Sequence, residues 1–133
     1  MSEEFTIEIV NPEKSFISKD DVIEVVVPAY EGDMGILKDH ISIISFLKPG
    51  IMKIFSKNEE EKYYIEDGIL EFKDNSLSIL TSFVSNLKDL DSNYIDKIIK
   101  NSEKDLLDDN NMIDQKKFLI TQKIDVLKSI NSN

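Results

Sequence analysis

The stretch VIEVVVPAYEGDMGILKDHISIISFLKPGIMKIF, residues 22–55, decides how this chain folds. It opens on Val22-Ile-Glu-Val-Val-Val27, β-branched and almost wholly apolar, as expected of a strand buried on both faces or nearly so. The turn signal Glu31-Gly32 follows. An apolar run from Ile41 to Leu47, a turn at Lys48-Pro49-Gly50 and a further run from Ile51 to Phe55 complete it. Three of the chain's four glycines fall here, and glycine costs backbone entropy, so each holds a conformation that other residues disfavour. A tight turn is reason enough for Gly50. In Glu31-Gly-Asp-Met-Gly35 turns account for the glycines but not for the exposed acids beside them.

Outward from this stretch the same rhythm continues. Phe5-Thr-Ile-Glu-Ile9 alternates apolar and polar with period two, and Lys62 to Glu66, Ile69 to Lys73 and Leu77 to Thr81 are further strand candidates. Asn11-Pro12, Asn58-Glu59, Asp67-Gly68 and Asp74-Asn75 punctuate them. Short strands with turns every 8 to 12 residues predict an antiparallel sandwich or barrel.

After Thr81 the composition changes. All four glycines and all three prolines precede Ile69. Residues 1–85 carry 17 acidic and 8 basic side chains, whereas residues 86–133 carry 9 and 8, so a boundary is expected near Ser85-Asn86. From Asp91, a plausible N-cap, the stripe Ile95, Ile98, Ile99, Ser102 and Leu106 marks one helical face. Asp108-Asp-Asn-Asn111 favours turns and caps, and a second stripe follows at Ile113, Ile120, Ile124 and Leu127. Two amphipathic helices on a short polar connection predict an antiparallel hairpin.

With 133 residues, 41% of them hydrophobic, the chain can bury a core; a domain of this size removes ~68% of its unfolded surface from water. Acids outnumber bases 26 to 16, giving a net charge of −10, and every basic residue is lysine. No basic face and no arginine argue against nucleic acid as a partner. The absence of cysteine excludes disulfide scaffolds and thiolate metal sites, and the single histidine, His40, excludes multi-histidine ones. No apolar run approaches the ~20 residues of a membrane span, and the N-terminus lacks the pattern of a signal peptide. These features predict a soluble, intracellular, acidic protein.

Catalytic constellations are sparse. No G-x-S-x-G elbow accompanies His40, and Glu59-Glu60-Glu61 reads as a solvated hairpin tip. Asp89-Leu-Asp91-Ser-Asn93 opens like a calcium loop, but Tyr94 and Lys100 stand where that loop requires Gly and Glu. No cofactor or metal site is expected.

The 22–55 stretch resembles the epsilon subunit of bacterial F-type ATP synthases, the counterpart of the mitochondrial delta subunit. The pattern is a strand ending in Val26-Val-Pro28, then Glu31-Gly-Asp-Met-Gly-Ile-Leu37, then His40 and Leu47-Lys-Pro-Gly50. A second block, Gly68-Ile-Leu-Glu-Phe-Lys-Asp-Asn-Ser-Leu-Ser-Ile-Leu80, matches independently, and Ile9-Val-Asn-Pro-Glu-Lys14 also fits. There are departures. The family usually carries Pro-Gly-His-Ala-Pro where this chain has Lys38-Asp-His-Ile-Ser42. ATP-binding members open the first tail helix with Ile/Leu-Asp-x-x-Arg-Ala, whereas Leu90-Asp-Ser-Asn-Tyr-Ile95 lacks the arginine and the alanine.

The resemblance implies an antiparallel β-sandwich of about ten strands over residues 1–85, followed by a C-terminal antiparallel α-helical hairpin over 86–133. It implies a non-catalytic rotor subunit of the central stalk, which couples c-ring rotation to the catalytic head in ATP synthesis and hydrogen ion transport. Its tail can restrain ATP hydrolysis. The implied partners are the c-ring, through Tyr30, Glu31, Asp33 and His40, and the gamma subunit, through Asn11 and Ser45. The alpha/beta head joins them if the tail extends. The implied place is peripheral, on the cytoplasmic side of the bacterial cell membrane, with no insertion into it. A free-standing acidic β-sandwich interaction module is the alternative, and a small enzyme a second.

Overall fold

Period-two alternation over the first 86 residues becomes nine strands among the described residues of the computed structural model, which are 3–12, 14–109 and 111–131. They are β1 (Phe5–Asn11), β2 (Lys14–Ala29), β3 (Gly32–Leu37), β4 (Ile43–Leu47), β5 (Gly50–Ser56), β6 (Glu59–Ile65), β7 (Gly68–Lys73), β8 (Ser76–Thr81) and β9 (Val84–Asn86). A turn of 3-10 helix at Leu87–Asp89 leads into α1 (Ser92–Asp108) and α2 (Asp114–Asn131). Glu13 of the opening motif and Asn110 of the polar connection lie outside the described residues.

The long strand β2 organises the sandwich. Its first half pairs with β1, and its second half pairs with β3 on one side and β5 on the other. A register shift between these halves, where Phe5 faces Val22 and Ile7 faces Lys19, bends the strand from one layer into the other. One layer therefore runs β2-β1-β8-β7-β4 and the other β3-β2-β5-β6-β9, so nine strands fill ten places. All pairs are antiparallel except β1 with β8. Three strand segments carry no strand pattern of their own. Lys14 to Asp21 is largely polar, with Phe16 and Ile17 its apolar residues, β3 holds two glycines, and β9 has three residues; each is held by its neighbours more than by its own propensity.

The inner faces interleave Phe5, Ile7, Ile9, Leu70, Phe72, Leu77 and Ile79 of one layer with Val25, Val27, Ile36, Met52, Ile54 and Ile65 of the other. Gly50 permits a close approach: a β-carbon there would lie 2.5 Å from Cβ of Pro28. Gly32, with φ of 135°, is the glycine whose backbone no L side chain adopts easily.

Glu59-Glu60-Glu61 follows the turn of the β5–β6 hairpin and opens β6, with Glu59 and Glu60 exposed as expected of a solvated tip, whereas Glu61 is partly buried. Lys19 on β2 reaches across the side of the sandwich to ion-pair with Glu61 and, at 3.8 Å, with Glu59. The Tyr63 hydroxyl donates to Glu61 at 2.6 Å. Partial burial opposes ionisation of Glu61, but the bonds from Lys19 and Tyr63 outweigh it and hold the carboxyl below its usual 4.5. The bond to Glu61 outweighs desolvation at Lys19 and lifts it above 10.5. The lowered acid contributes stability above its unfolded value and loses it as pH falls through the folded one. The raised base contributes below its unfolded value and loses it as pH rises. The clasp therefore acts between about pH 5 and about pH 10. Lys19→Ala should cost about 1 kcal/mol in denaturant unfolding at neutral pH, and progressively less as pH falls below the ordinary carboxylate value and Glu61 takes up its proton.

Asp91 caps α1 as its position suggested, accepting from the Tyr94 amide at 2.8 Å. Ile95, Ile99 and Ser102 of α1 are buried with Ile124 and Leu127 of α2, whereas Ile113 precedes α2 and stays exposed. The hairpin is closed by Lys128 to Glu103 at 3.7 Å and by the Asn131 amide donating to Asp96 at 2.7 Å. It packs on the outer face of β6, over Tyr64, which is completely buried. Lys123 of α2 pairs with Glu66 of the sandwich at 3.2 Å, and Glu66 also accepts from the Tyr64 hydroxyl at 3.1 Å. The hairpin thus lies down on the sandwich.

Candidate functional site

The tight connection from β2 to β3 forces Tyr30 and Glu31 outward, and the pairing of Asp33 with Pro28 sets Asp33 beside them. All three are exposed, as expected of a polar turn at a strand end. They line a groove of about 650 Å3 together with Ile44, Ser45 and Phe46 of β4 and Gln115 of α2. Tyr30 also meets Phe118 of α2, ring centroids 6.0 Å apart.

His40 does not join them. The six residues of β3 separate it from the turn, about 20 Å along the strand. There its Nδ1 lies 2.7 Å from the Ile41 carbonyl and its ring stands edge-on to buried Phe72, centroids 5.9 Å apart. Asp39 takes a left-handed φ of 67° at the place of the family's glycine. Asn75 secures it, accepting from the Asp39 amide at 2.6 Å and donating to its carboxylate at 3.0 Å. A side-chain clamp here replaces the rigidity that Pro-Gly would supply.

Asn11 and Ser45 share a layer but not a cluster. Asn11 ends β1, while Ser45 sits in β4 with its neighbours β7 and β8 in between. The register places something else across that layer. Phe46 faces Ile69, Ile69 faces Leu80, and Leu80 faces Val10, forming one row on the outer side. Phe46, Ile69 and Leu80 are exposed there, as is Ile44 in the next row. Apolar neighbours in a contiguous exposed row mark an interaction surface. This row was legible in principle. Ile43-Ile44 and Ile79-Leu80 put large apolar residues on both faces of a strand, which a one-sided sheet does not need.

Among the described residues no three carboxylate or histidine side chains are grouped to hold a metal ion. No described helix is long and apolar enough to cross a membrane. What the geometry offers is surface: an acidic turn, an apolar row and a docked hairpin.

The family model for the ATP synthase delta/epsilon chain β-sandwich domain matches residues 4–86. The chain belongs to that family. It is 64% identical over 131 residues to the ATP synthase epsilon chain of Pelagibacter ubique, covering 98% of this chain and 100% of that one. The epsilon chain of Parvibaculum lavamentivorans is 33% identical, with 98% and 97% covered. In fold it matches a chain in the cryo-EM structure of Euglena gracilis mitochondrial ATP synthase, with TM-score 0.78, 16% identity, and 97% of this chain and 82% of that one covered. A chain of the central stalk and c-ring of the Tetrahymena thermophila enzyme matches with TM-score 0.65 at 14% identity, 98% of each covered.

As a member without the ATP-binding arginine, the chain shows an exposed Tyr94 in the first turn of α1 where that arginine would stand. Lysine elsewhere supplies a point charge, not a planar fork for phosphate. Calorimetric titration of the isolated chain with ATP should therefore show no micromolar binding; a fitted micromolar or tighter affinity would count against this.

Proposed function

We propose that the chain is the non-catalytic epsilon subunit in the central stalk of a proton-translocating ATP synthase, seated peripherally on the cytoplasmic side of the bacterial cell membrane. It couples rotation of the c-ring to the catalytic head through gamma. The observation that carries this is the pair of adjoining surfaces on one sandwich, an acidic turn beside an exposed apolar row, in a chain of this family.

In this reading Tyr30, Glu31 and Asp33 face the polar loops of the ring, with charge-assisted bonds across the contact. His40 instead braces the connection before β4 against Phe72. Gamma covers the outer row Phe46, Ile69 and Leu80, with Ser45 and Asn11 at its margins. Residues 1–85 form the docking sandwich and residues 86–133 the hairpin, whose second helix would meet the alpha/beta head on extending. The relatives' identity over nearly the whole chain favours this over a free-standing module or a small enzyme.

The double substitution Phe46→Asp and Leu80→Asp tests the gamma surface. Both side chains are exposed, so the isolated chain should fold as before. Losing two apolar contacts at ~1.5–3 kcal/mol each should weaken capture of gamma roughly 100-fold or more. Undiminished assembly with gamma would move the contact elsewhere.

A further inference from the structure

A two-layer sandwich has open sides where its edge strands lie, and this one treats its two sides differently. On one side the first half of β2 and β6 are bridged by Lys19 with Glu59 and Glu61. On the other, where β3 and β4 are the edges, the structure leaves the groove of about 650 Å3. Along β4 all five residues pair with β7, but β2 is met only at Leu47. Among the described residues, the backbone groups on the second edge of Ile43 to Phe46 thus have no strand partner. Natural sheets blunt such an edge with lysine, proline or a bulge. Ile43-Ile-Ser-Phe-Leu47 contains no charged residue and no proline, and its register with β7 is unbroken.

Its side chains suit an added strand. Ile44 and Phe46 alternate outward at 67% and 61% exposure, ready to pack against alternate residues of a neighbour. The facing edge, β3, has Gly32 and Gly35 and offers less to pack against. The groove lining contributes Glu31 and Asp33 and no lysine.

We propose that β4 accepts a strand from a partner chain. The segment is extended, apolar at alternate residues, and carries a lysine or arginine at the end that reaches Glu31 and Asp33. Main-chain hydrogen bonds supply the attachment and the side-chain alternation sets the register. The identity of the partner as the adjoining stalk subunit rests on the assembly reading above, in which its basic end meets Glu31 and Asp33 beside the ring loops that share them; the edge itself does not.

Residue-resolved amide hydrogen exchange tests this, comparing the isolated chain with the assembled ATP synthase purified from its membrane. In the isolated chain, amides of Ile43 to Phe46 that point away from β7 should exchange fast while their alternate neighbours are protected. In the assembled enzyme the outward amides should slow by about 100-fold or more, closing the alternation. Assembly with those amides still fast would overturn strand addition and leave the assembly reading intact. Failure of the chain to assemble with an ATP synthase at all would remove both.

Discussion

Tyr64→Ala releases the helical hairpin. Tyr64 is fully buried on the outer face of β6, beneath Ile95, Ile99, Ile124 and Leu127. Its hydroxyl donates to Glu66, and Glu66 binds Lys123. Truncation removes the ring on which both helices rest and one partner of the polar bridge to α2. Large-to-small changes of this kind cost about 3–5 kcal/mol. The loss falls on docking, because Tyr63 and Ile65 on either side point into the sandwich core and are untouched. Exchange or protease cleavage within residues 92–131 should accelerate roughly 100-fold or more, with the sandwich still protected. An unchanged hairpin would show that its grip lies elsewhere.

Alkaline pH should loosen the same contact. Burial foremost, then the Glu66 carboxylate, raises the Tyr64 hydroxyl well above its ordinary 10.0. A group raised on docking contributes its full stabilisation below the undocked value and loses it as pH climbs toward the docked one. Docking is therefore expected to hold up to about pH 10 and weaken beyond it, and Tyr64→Phe should reduce that dependence.

The second large effect lies in the turn. Replacing Glu31 and Asp33 together with lysine should uncouple the rotor from the ring. Both side chains are exposed, one in the β2–β3 turn and one at the start of β3, so the melting of the sandwich should change little. Charge-assisted bonds at an interface contribute ~1.5–3 kcal/mol each, and reversal adds repulsion to their loss. ATP-driven proton pumping by the reconstituted enzyme should fall steeply while the variant chain remains folded. A double variant that assembles and pumps normally would rule this turn out as the ring contact.

Much of this molecule is written locally. The apolar alternation of Phe5 to Ile9 and Leu77 to Thr81, the Val22–Val27 run and the Asp91 cap each declare their element because period and capping chemistry act within a few residues. The shift from glycine- and proline-bearing segments to uninterrupted helical stripes likewise separates sandwich from hairpin. The family motifs around Glu31 and Gly68 bring the identity with them.

What the tertiary structure decided depends on pairs far apart in the chain. Whether a half-polar segment such as Lys14 to Asp21 becomes a strand depends on β1 waiting beside it. Whether Glu61 is a solvated tip or a clasp depends on Lys19, 42 residues away. His40 follows the acidic β2–β3 turn closely in sequence, yet an extended strand carries it to the opposite end, since β-structure advances about 3.3 Å per residue. The apolar row Phe46–Ile69–Leu80 exists only once three strands are in register. Local periodicity tells a residue which way it faces; only the pairing of distant strands tells it what it faces.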